Sequence, residues 1–353
     1  MAERVVVLMS GGVDSSVAAL RLQHDGYDVV GVTLRQIPRQ LETETLSTRW
    51  RINVQDARYV AEHLGIVHEV ADLSEVFQKE VVDPFVAAYR SGQTPNPCFR
   101  CNPRVKFRKG LELADRLGAA RMATGHHARI IQTAQRPRLA AGVDRAKDQS
   151  YFLAGVPAEL LERVYLPIGE LTKDQVRAIA REHHLPVAEK EESQEICFTT
   201  EGNVHTFLAA QENSTEGEIV DSRGTVLGRH RGIAHYTVGQ RRGLGLAGGP
   251  FYVKALDAAA NRVIVGRHEE LFARDVSAVD ANYLVPVEEG NVGWAKIRSR
   301  HPAAACTVVR VKTDSFTVRF AEPQWGVAPG QALVLYDGDY VVAGGVIAGW
   351  VPA

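Results

Sequence analysis

Short apolar runs alternate with helical patterns over about the first 190 residues of this 353-residue chain. Val5–Met9, Val29–Leu34, Val67–Val70 and Met122–Gly125 read as strands, and residues 15–25, 54–64, 74–90, 104–118 and 173–184 read as helices. That alternation predicts an α/β domain built on a doubly wound parallel sheet. In such sheets ligands sit beyond the carboxyl ends of the strands. Ser10–Ser16, Leu34 and Gly125-His126 fall at those ends. After about residue 200 the pattern changes to short strands with turn signals. A Gly-rich stretch, Gly239 to Gly249, interrupts them, and residues 275–353 alternate strongly, which predicts a small central β-rich domain followed by a β-barrel or sandwich.

The first strand runs into Ser10-Gly-Gly-Val-Asp-Ser-Ser16 and then into a helix-like stretch, Val17 to Leu22. N–H groups at a helix start lack intrahelical partners, and the helix dipole favours negative charge there. Gly11 and Gly12 let the chain turn tightly and approach an anion with no Cβ in the way. Ser10, Ser15 and Ser16 add hydroxyl donors, and Asp14 is a candidate Mg²⁺ ligand. The segment lacks the lysine–hydroxyl pair of the common P-loop and the spacing of a dinucleotide fingerprint. Two glycines alone are as readily an ordinary turn; the whole septet in this setting is far more specific. It resembles the pyrophosphate-binding loop of the PP-loop ATPases, which split ATP to AMP and pyrophosphate and adenylate an oxygen of a second substrate.

The net charge of −1 argues against a generally basic nucleic-acid binder, but basic residues cluster locally. Arg100, Arg104, Lys106, Arg108 and Lys109 fall within Phe99–Lys109 with no acidic residue, and two further basic stretches run over Arg229–Arg242 and Lys296–His301. Each alone is an ordinary solvated face; together they suit a localised anion-binding surface, RNA being a candidate. No apolar run approaches the roughly 20 residues of a membrane helix, so a cytoplasmic location with no membrane partner is the expectation.

Four cysteines, Cys98, Cys101, Cys197 and Cys306, are too few for a disulfide scaffold. Cys98 and Cys101 lie in Thr94-Pro-Asn-Pro-Cys-Phe-Arg-Cys-Asn-Pro103, which reads as a stiff exposed loop. Beside Arg100, Arg104 and Lys106 a thiolate is stabilised, which predicts a pKa for Cys101 below the ordinary value of about 8.5. Half a zinc site is the bland alternative for this pair. Cys197 reads locally as a buried cysteine between Ile196 and Phe198, and Cys306 as barrel core.

Six segments then occur in one order over almost the whole chain: Ser10–Ser16, the Pro-rich Cys segment, Thr124-Gly-His-His-Ala-Arg129, Lys147-Asp-Gln-Ser-Tyr-Phe-Leu153, Ser193-Gln-Glu-Ile-Cys-Phe198 and His235-Tyr-Thr-Val-Gly-Gln-Arg-Arg-Gly-Leu-Gly245. Together they resemble the bacterial tRNA-specific 2-thiouridylases. The resemblance implies exchange of the C2 oxygen of the wobble uridine, U34, for sulfur, in tRNAs for Lys, Glu and Gln. It implies a PP-loop domain over 1–200, a central domain over 201–273 and a C-terminal barrel over 274–353. ATP is implied on Leu8, Met9, Ser10, Gly11, Gly12, Val13, Asp14 and Ser15, with Leu34 and Gly125 near the nucleoside and Mg²⁺ as cofactor. Cys197 would carry a persulfide delivered by a sulfur-carrier protein or cysteine desulfurase. Cys101 would be the second thiol, releasing sulfide by forming a disulfide with Cys197 or assisting the attack directly. Asn96, Pro97 and Cys98 would meet the target base. His126, Lys147, Asp148, Gln149, Arg298, Ser299 and Gln331 would contact tRNA; Lys147, Arg298 and His126 suit phosphates, and Gln149 and Gln331 suit bases or sugars.

Two departures stand out. Many members carry Asp where this chain has Cys98, so Cys98, Cys101 and Cys197 could instead ligate a [4Fe–4S] cluster. The stretch Arg35–Arg51 lacks the family's usual cysteine and acidic pattern, which leaves it without a role. A PP-loop synthetase acting on a small molecule and a non-enzymatic RNA-binding module are the competing readings.

Overall fold

The computed structural model describes residues 2–191, 196–199, 204–211 and 215–352. Ser193-Gln-Glu195 of the second cysteine motif, and the expected domain break between residues 200 and 201, lie outside these. The chain divides into two compact units. The first comprises Met1–Val81, Cys98–Gly202 and Asp339–Val341; the second comprises Val82–Pro97, Asn203–Gly338 and Val342–Ala353.

The first unit is built on strands β1 (Arg4–Leu8), β2 (Asp28–Arg35), β3 (Val67–Asp72), β4 (Arg121–Thr124), β5 (Ala128–Ile131), β6 (Arg138–Ala141) and β7 (Val164–Tyr165). Five of them form a sheet in the order β3-β2-β1-β4-β7, all parallel. Val5, Val6 and Val7 are fully buried because helices cover both faces of the central strand. On one face lie α1 (Val13–His24), α2 (Glu44–Leu64) and the helix Lys173–Glu182, sharing a core of Val17, Leu20, Val60, Ile168, Val176 and Ala180. On the other lies the helix Arg108–Arg116, with Gly110 close against Met122 and Leu8. The strand order reverses between β1 and β4, and the crevice at that switch point is where a doubly wound sheet binds ligands.

The expected strands are all present. α2 begins ten residues earlier than the periodicity suggests, because Thr43 caps it, its hydroxyl accepting from Leu46 N–H at 3.3 Å. The cysteine segment expected as an exposed loop is instead helical: Pro97–Cys101 leads through a π-helical turn, Asn102–Phe107, into the helix Arg108–Arg116. Proline is tolerated in a first turn, where its missing N–H has no partner to lose. Phe99, Cys101, Val105 and Phe107 then form a buried apolar face that turn-forming composition had masked.

The second unit carries a four-stranded sheet and a barrel. The sheet runs β10 (Tyr252–Asp257), β11 (Arg262–Gly266), β8 (Gly217–Val220), β9 (Val226–His230), over a core of Ile219, Tyr236, Val253, Val263 and Val265. The barrel runs β12 (Phe272–Tyr283), β15 (Ser315–Trp325), β14 (Ala304–Val311), β13 (Val292–Lys296), β16 (Ala332–Asp337), β17 (Tyr340–Pro352), and β12 pairs back onto β17 to close it. Cys306 is core here, as expected, packed with Val308, Phe316 and Phe320. Residues 82–97 also belong to this unit. Thr94 N–H donates to Pro329 O at 2.8 Å, and Asn96 N–H donates to Gly330 O at 3.3 Å.

Candidate active site

The strand–turn–helix start folds as its residues dictate. Gly11 has φ +74°, and a Cβ there would lie 2.1 Å from Asn53 O, so only glycine fits against α2. Gly12 is the N-cap of α1 in extended conformation, with no side chain bonding to the first helical turn. Gly125, just past β4, packs backbone to backbone on that turn: a Cβ would lie 2.5 Å from Ser15 N and 2.6 Å from Asp14 C. Leu8 and Met9 are buried beneath the turn, and Leu34 is half-buried at the carboxyl end of β2.

Two expectations about this turn change. Ser15 and Ser16 brace the turn rather than offer their hydroxyls outward: their Oγ atoms donate to Gly12 O at 3.1 and 2.9 Å, and Ser10 N–H donates to Ser15 Oγ, while Ser10 itself stays exposed. Asp14 is already engaged. Lys173 Nζ donates to both its carboxylate oxygens at 2.8 and 2.9 Å, and His127 Nε2 lies 3.2 Å from one of them. Burial alone would raise the pKa of Asp14, but the hydrogen bonds from His127 and Lys173 and the lysine charge outweigh it and hold the carboxyl below its ordinary value. The candidate Mg²⁺ ligand is therefore an ionised carboxylate whose two oxygens the Lys173 ammonium group holds. Lys173, which the sequence reading passed over, sets the charge beside the turn; its position as the first residue of a helix gave no signal. Lys190 is a second such residue, donating to Gly11 O, Asn53 Oδ1 and Asp56 Oδ2 at 3.0, 2.8 and 2.5 Å.

Cys197 and the Cys98–Cys101 pair come from two stretches of the first unit into electrostatic reach of one another: Cys98 and Cys197 each raise the pKa of Cys101, and Cys98 raises that of Cys197. The lowered pKa expected for Cys101 is not found. Burial pushes its thiol up to about 12, against the opposing pull of Lys106. The two arginines that were to stabilise its thiolate turn to Glu80 instead; Arg100 Nε donates to Glu80 O at 2.6 Å and Arg104 lies 4.0 Å from the carboxylate. Cys197 is not the buried cysteine its neighbours suggested. Both Cys98 and Cys197 keep solvent-exposed surface while protein crowds their sulfurs, and the crowding pushes Cys197 up to about 11. Cys101 is thus expected to react with iodoacetamide more slowly than free cysteine at neutral pH, gaining about tenfold per pH unit in alkali. Mass-resolved alkylation kinetics measure this, and a neutral-pH rate above that of the free amino acid would contradict it.

Among the described residues no three Cys, His, Asp or Glu side chains are gathered as a metal requires, so the arrangement gives a [4Fe–4S] cluster no support. The stretch 35–51, left without a role above, touches both thiol loops. Gln36 Nε2 donates to Cys101 Sγ at 3.5 Å, and Arg49 Nη2 donates to Cys197 O at 2.6 Å and Thr199 O at 3.2 Å.

Of the expected RNA contacts, several side chains are spent inside the fold. His126 is buried against Phe107 and paired with Thr124 Oγ1 at 2.7 Å; burial pushes its pKa down to about 3, so it carries no charge for a phosphate. Asp148 accepts from Gly142 N–H, Ser150 N–H and Ser150 Oγ, and Gln149 exchanges hydrogen bonds with the His127 backbone. Arg298 donates to Val238 O and Gly326 O. Gln331 Nε2 donates to Thr94 O at 2.8 Å, and so steadies the approach to Asn96 and Pro97. Lys147 and Ser299 are half-buried.

A family model described as tRNA methyl transferase HUP domain matches residues 3–201. Models described as tRNA methyl transferase PRC-barrel domain and aminomethyltransferase beta-barrel domain match 205–267 and 274–347. The chain is 45% identical over 355 residues to the tRNA-specific 2-thiouridylase MnmA of Acidithiobacillus ferrooxidans, covering 98% of this chain and 99% of that protein. It is 47% identical over 351 residues to the protein of the same name from Syntrophotalea carbinolica, again covering 98% and 99%. A solved 4-thiouridine synthetase–RNA complex with bound ATP matches 59% of this chain and 50% of that one at 18% identity, with a TM-score of 0.36, too loose a likeness to build on.

Proposed function

Since the chain belongs to the tRNA-specific 2-thiouridylase family, we propose that it replaces the C2 oxygen of the wobble uridine U34 of tRNA with sulfur at the expense of ATP. The observation that carries the reading is the convergence of Cys98, Cys101 and Cys197 in the unit that also holds the glycine turn. The C2 oxygen is a poor leaving group, and adenylation converts it to one that departs with AMP. The uncapped start of α1, with Gly12 open in front of it, suits the triphosphate, and pyrophosphate is the other product. Lys173 and Lys190, paired with Asp14 and Asp56, brace the turn that would hold the phosphates.

Sulfur then arrives as a persulfide on Cys197, supplied by a sulfur-carrier protein or cysteine desulfurase. Its terminal sulfur bonds to C2, and AMP leaves with the former carbonyl oxygen. The Cys101 thiolate attacks Cys197 Sγ; the S–S bond breaks, sulfur stays on C2 as the thione, and a Cys101–Cys197 disulfide remains for an external thiol to reduce. Burial holds the Cys101 thiol in its protonated form, so the proton must leave as its sulfur attacks. Asn96, Pro97 and Cys98 lie just after the stretch anchored by Gln331 and are the residues proposed to meet the base. The substrates are the tRNAs for Lys, Glu and Gln, and the location is the cytoplasm, where these tRNAs work. The test is to incubate the protein with unmodified tRNA, ATP, Mg²⁺ and a persulfide source, then digest the tRNA to nucleosides. 2-Thiouridine is expected; its absence while pyrophosphate is still released would refute the reading.

A further inference from the structure

We propose that Arg49 is a positioning residue for sulfur transfer, clamping the turn that carries Cys197 so that its sulfur faces Cys101 and Cys98. The inference rests on the thiolation reading above and supplies a role for the stretch 35–51.

The turn Cys197–Thr199 is fixed from two sides. Phe198 is buried, its ring 5.7 Å from that of Phe77, which anchors the turn inward. From α2, the Arg49 guanidinium donates to two carbonyls of the same turn, Cys197 O and Thr199 O. The two N–H groups of one guanidinium nitrogen, Nη2, bridge both carbonyls and so tie the ends of the turn together, and charge-assisted hydrogen bonds of this kind are stronger than neutral ones. With the ring held on one side and both carbonyls on the other, the Cys197 side chain is left exposed. Gln36, on the same stretch of chain, donates to Cys101 Sγ, so one segment orients both thiols of the proposed disulfide. One helical turn beyond Arg49, Asn53 O lies against Gly11 and Asn53 Oδ1 accepts from Lys190, which also holds Gly11 O. α2 thus braces the nucleotide turn and the Cys197 turn at adjacent positions.

The test uses the full chain, unmodified tRNA, ATP and a persulfide source, and measures pyrophosphate release and 2-thiouridine side by side. Arg49→Gln is expected to lower 2-thiouridine formed per pyrophosphate released by about ten- to hundredfold, as loss of charge-assisted hydrogen bonds implies. Arg49→Lys, which keeps the charge and a terminal nitrogen able to donate to both carbonyls but on a shorter side chain, is expected to recover part of that ratio. Mass-resolved alkylation of Cys197 should change rate in Arg49→Gln while that of Cys306 does not. A wild-type ratio in Arg49→Gln overturns the inference. A fall in pyrophosphate release and thiolation together, with no recovery in Arg49→Lys, also overturns it, since that is a general structural defect. If the wild-type protein itself forms no 2-thiouridine, the thiolation reading fails instead.

Discussion

Cys101→Ser is expected to reduce 2-thiouridine formation by about a thousandfold or more while leaving tRNA-dependent pyrophosphate release near that of the wild type. The size follows from the role: a hydroxyl can neither attack a sulfur atom nor form the disulfide that frees the thione, and loss of a covalent participant typically costs this much. The selectivity follows from placement. Adenylation relies on the backbone of the glycine turn, which Cys101 does not touch, so the first half-reaction has no reason to slow. The fold should tolerate the exchange. Cys101 is buried, but Gln36 Nε2 already points a donor at its sulfur and can bond to a hydroxyl oxygen in its place. Nucleoside digests and a coupled pyrophosphate assay on the same samples give both numbers. Equal losses in the two would return the residue to a packing role. Pyrophosphate release that needs no tRNA, and thiolation unaffected by the substitution, would instead favour a small-molecule synthetase.

The parallel sheet and its switch point were legible because β1 is a continuous apolar run and the septet after it has few other uses. Burial was less legible. Pro95, Pro97 and Pro103 made the Cys98–Cys101 stretch read as an exposed loop, yet proline fits a helix's first turn, and Phe99 and Val105 pull the segment inward. That single inversion also reverses the expected thiol chemistry: once Cys101 is inside, desolvation outweighs nearby cations, and Arg100 and Arg104 are spent on Glu80. The same holds for His126, Gln149 and Arg298, polar residues whose sequence gives no sign that the fold consumes them. Arg49 and Lys190 were illegible for a different reason. Their partners lie about 130 to 180 residues away and include backbone carbonyls at Cys197 and Gly11, and a carbonyl leaves no mark in a sequence. Residues 82–97, within the span expected for the first domain, cluster by contact with the second unit. Nothing in their composition marks that exchange; it follows from the backbone pairing of Thr94 and Asn96 with the 329–330 turn.

Gly125→Ala should show how far the glycines at this site differ from one another. The added methyl would lie 2.5 Å from Ser15 N and 2.6 Å from Asp14 C, both backbone atoms of the first turn of α1, so no side chain can swing aside. Nor can the strands separate, because Leu8 pairs with Thr124 in the parallel ladder immediately before the contact. The first turn of α1 must therefore move. Overpacking of this kind costs about 1–3 kcal/mol, which in a unit of this size lowers Tm by of order 5 °C. The larger effect falls on the nucleotide: the displaced N–H groups are those proposed to hold the phosphates, and a shift of about 1 Å can cost a hundredfold. Gly12→Ala is the informative partner. Gly12 has φ −102°, which any residue adopts, and the nearest atom to an added Cβ is Ser10 Oγ at 3.5 Å. It should leave Tm within about 1 °C of the wild type, since nothing is overpacked, yet weaken ATP binding, since the methyl would stand where the anion approaches. Calorimetric ATP titrations and melting curves on the two variants separate the cases. Full ATP affinity in Gly12→Ala would place the phosphates elsewhere, and an unchanged Tm in Gly125→Ala would mean that β4 and α1 are not in the close contact described.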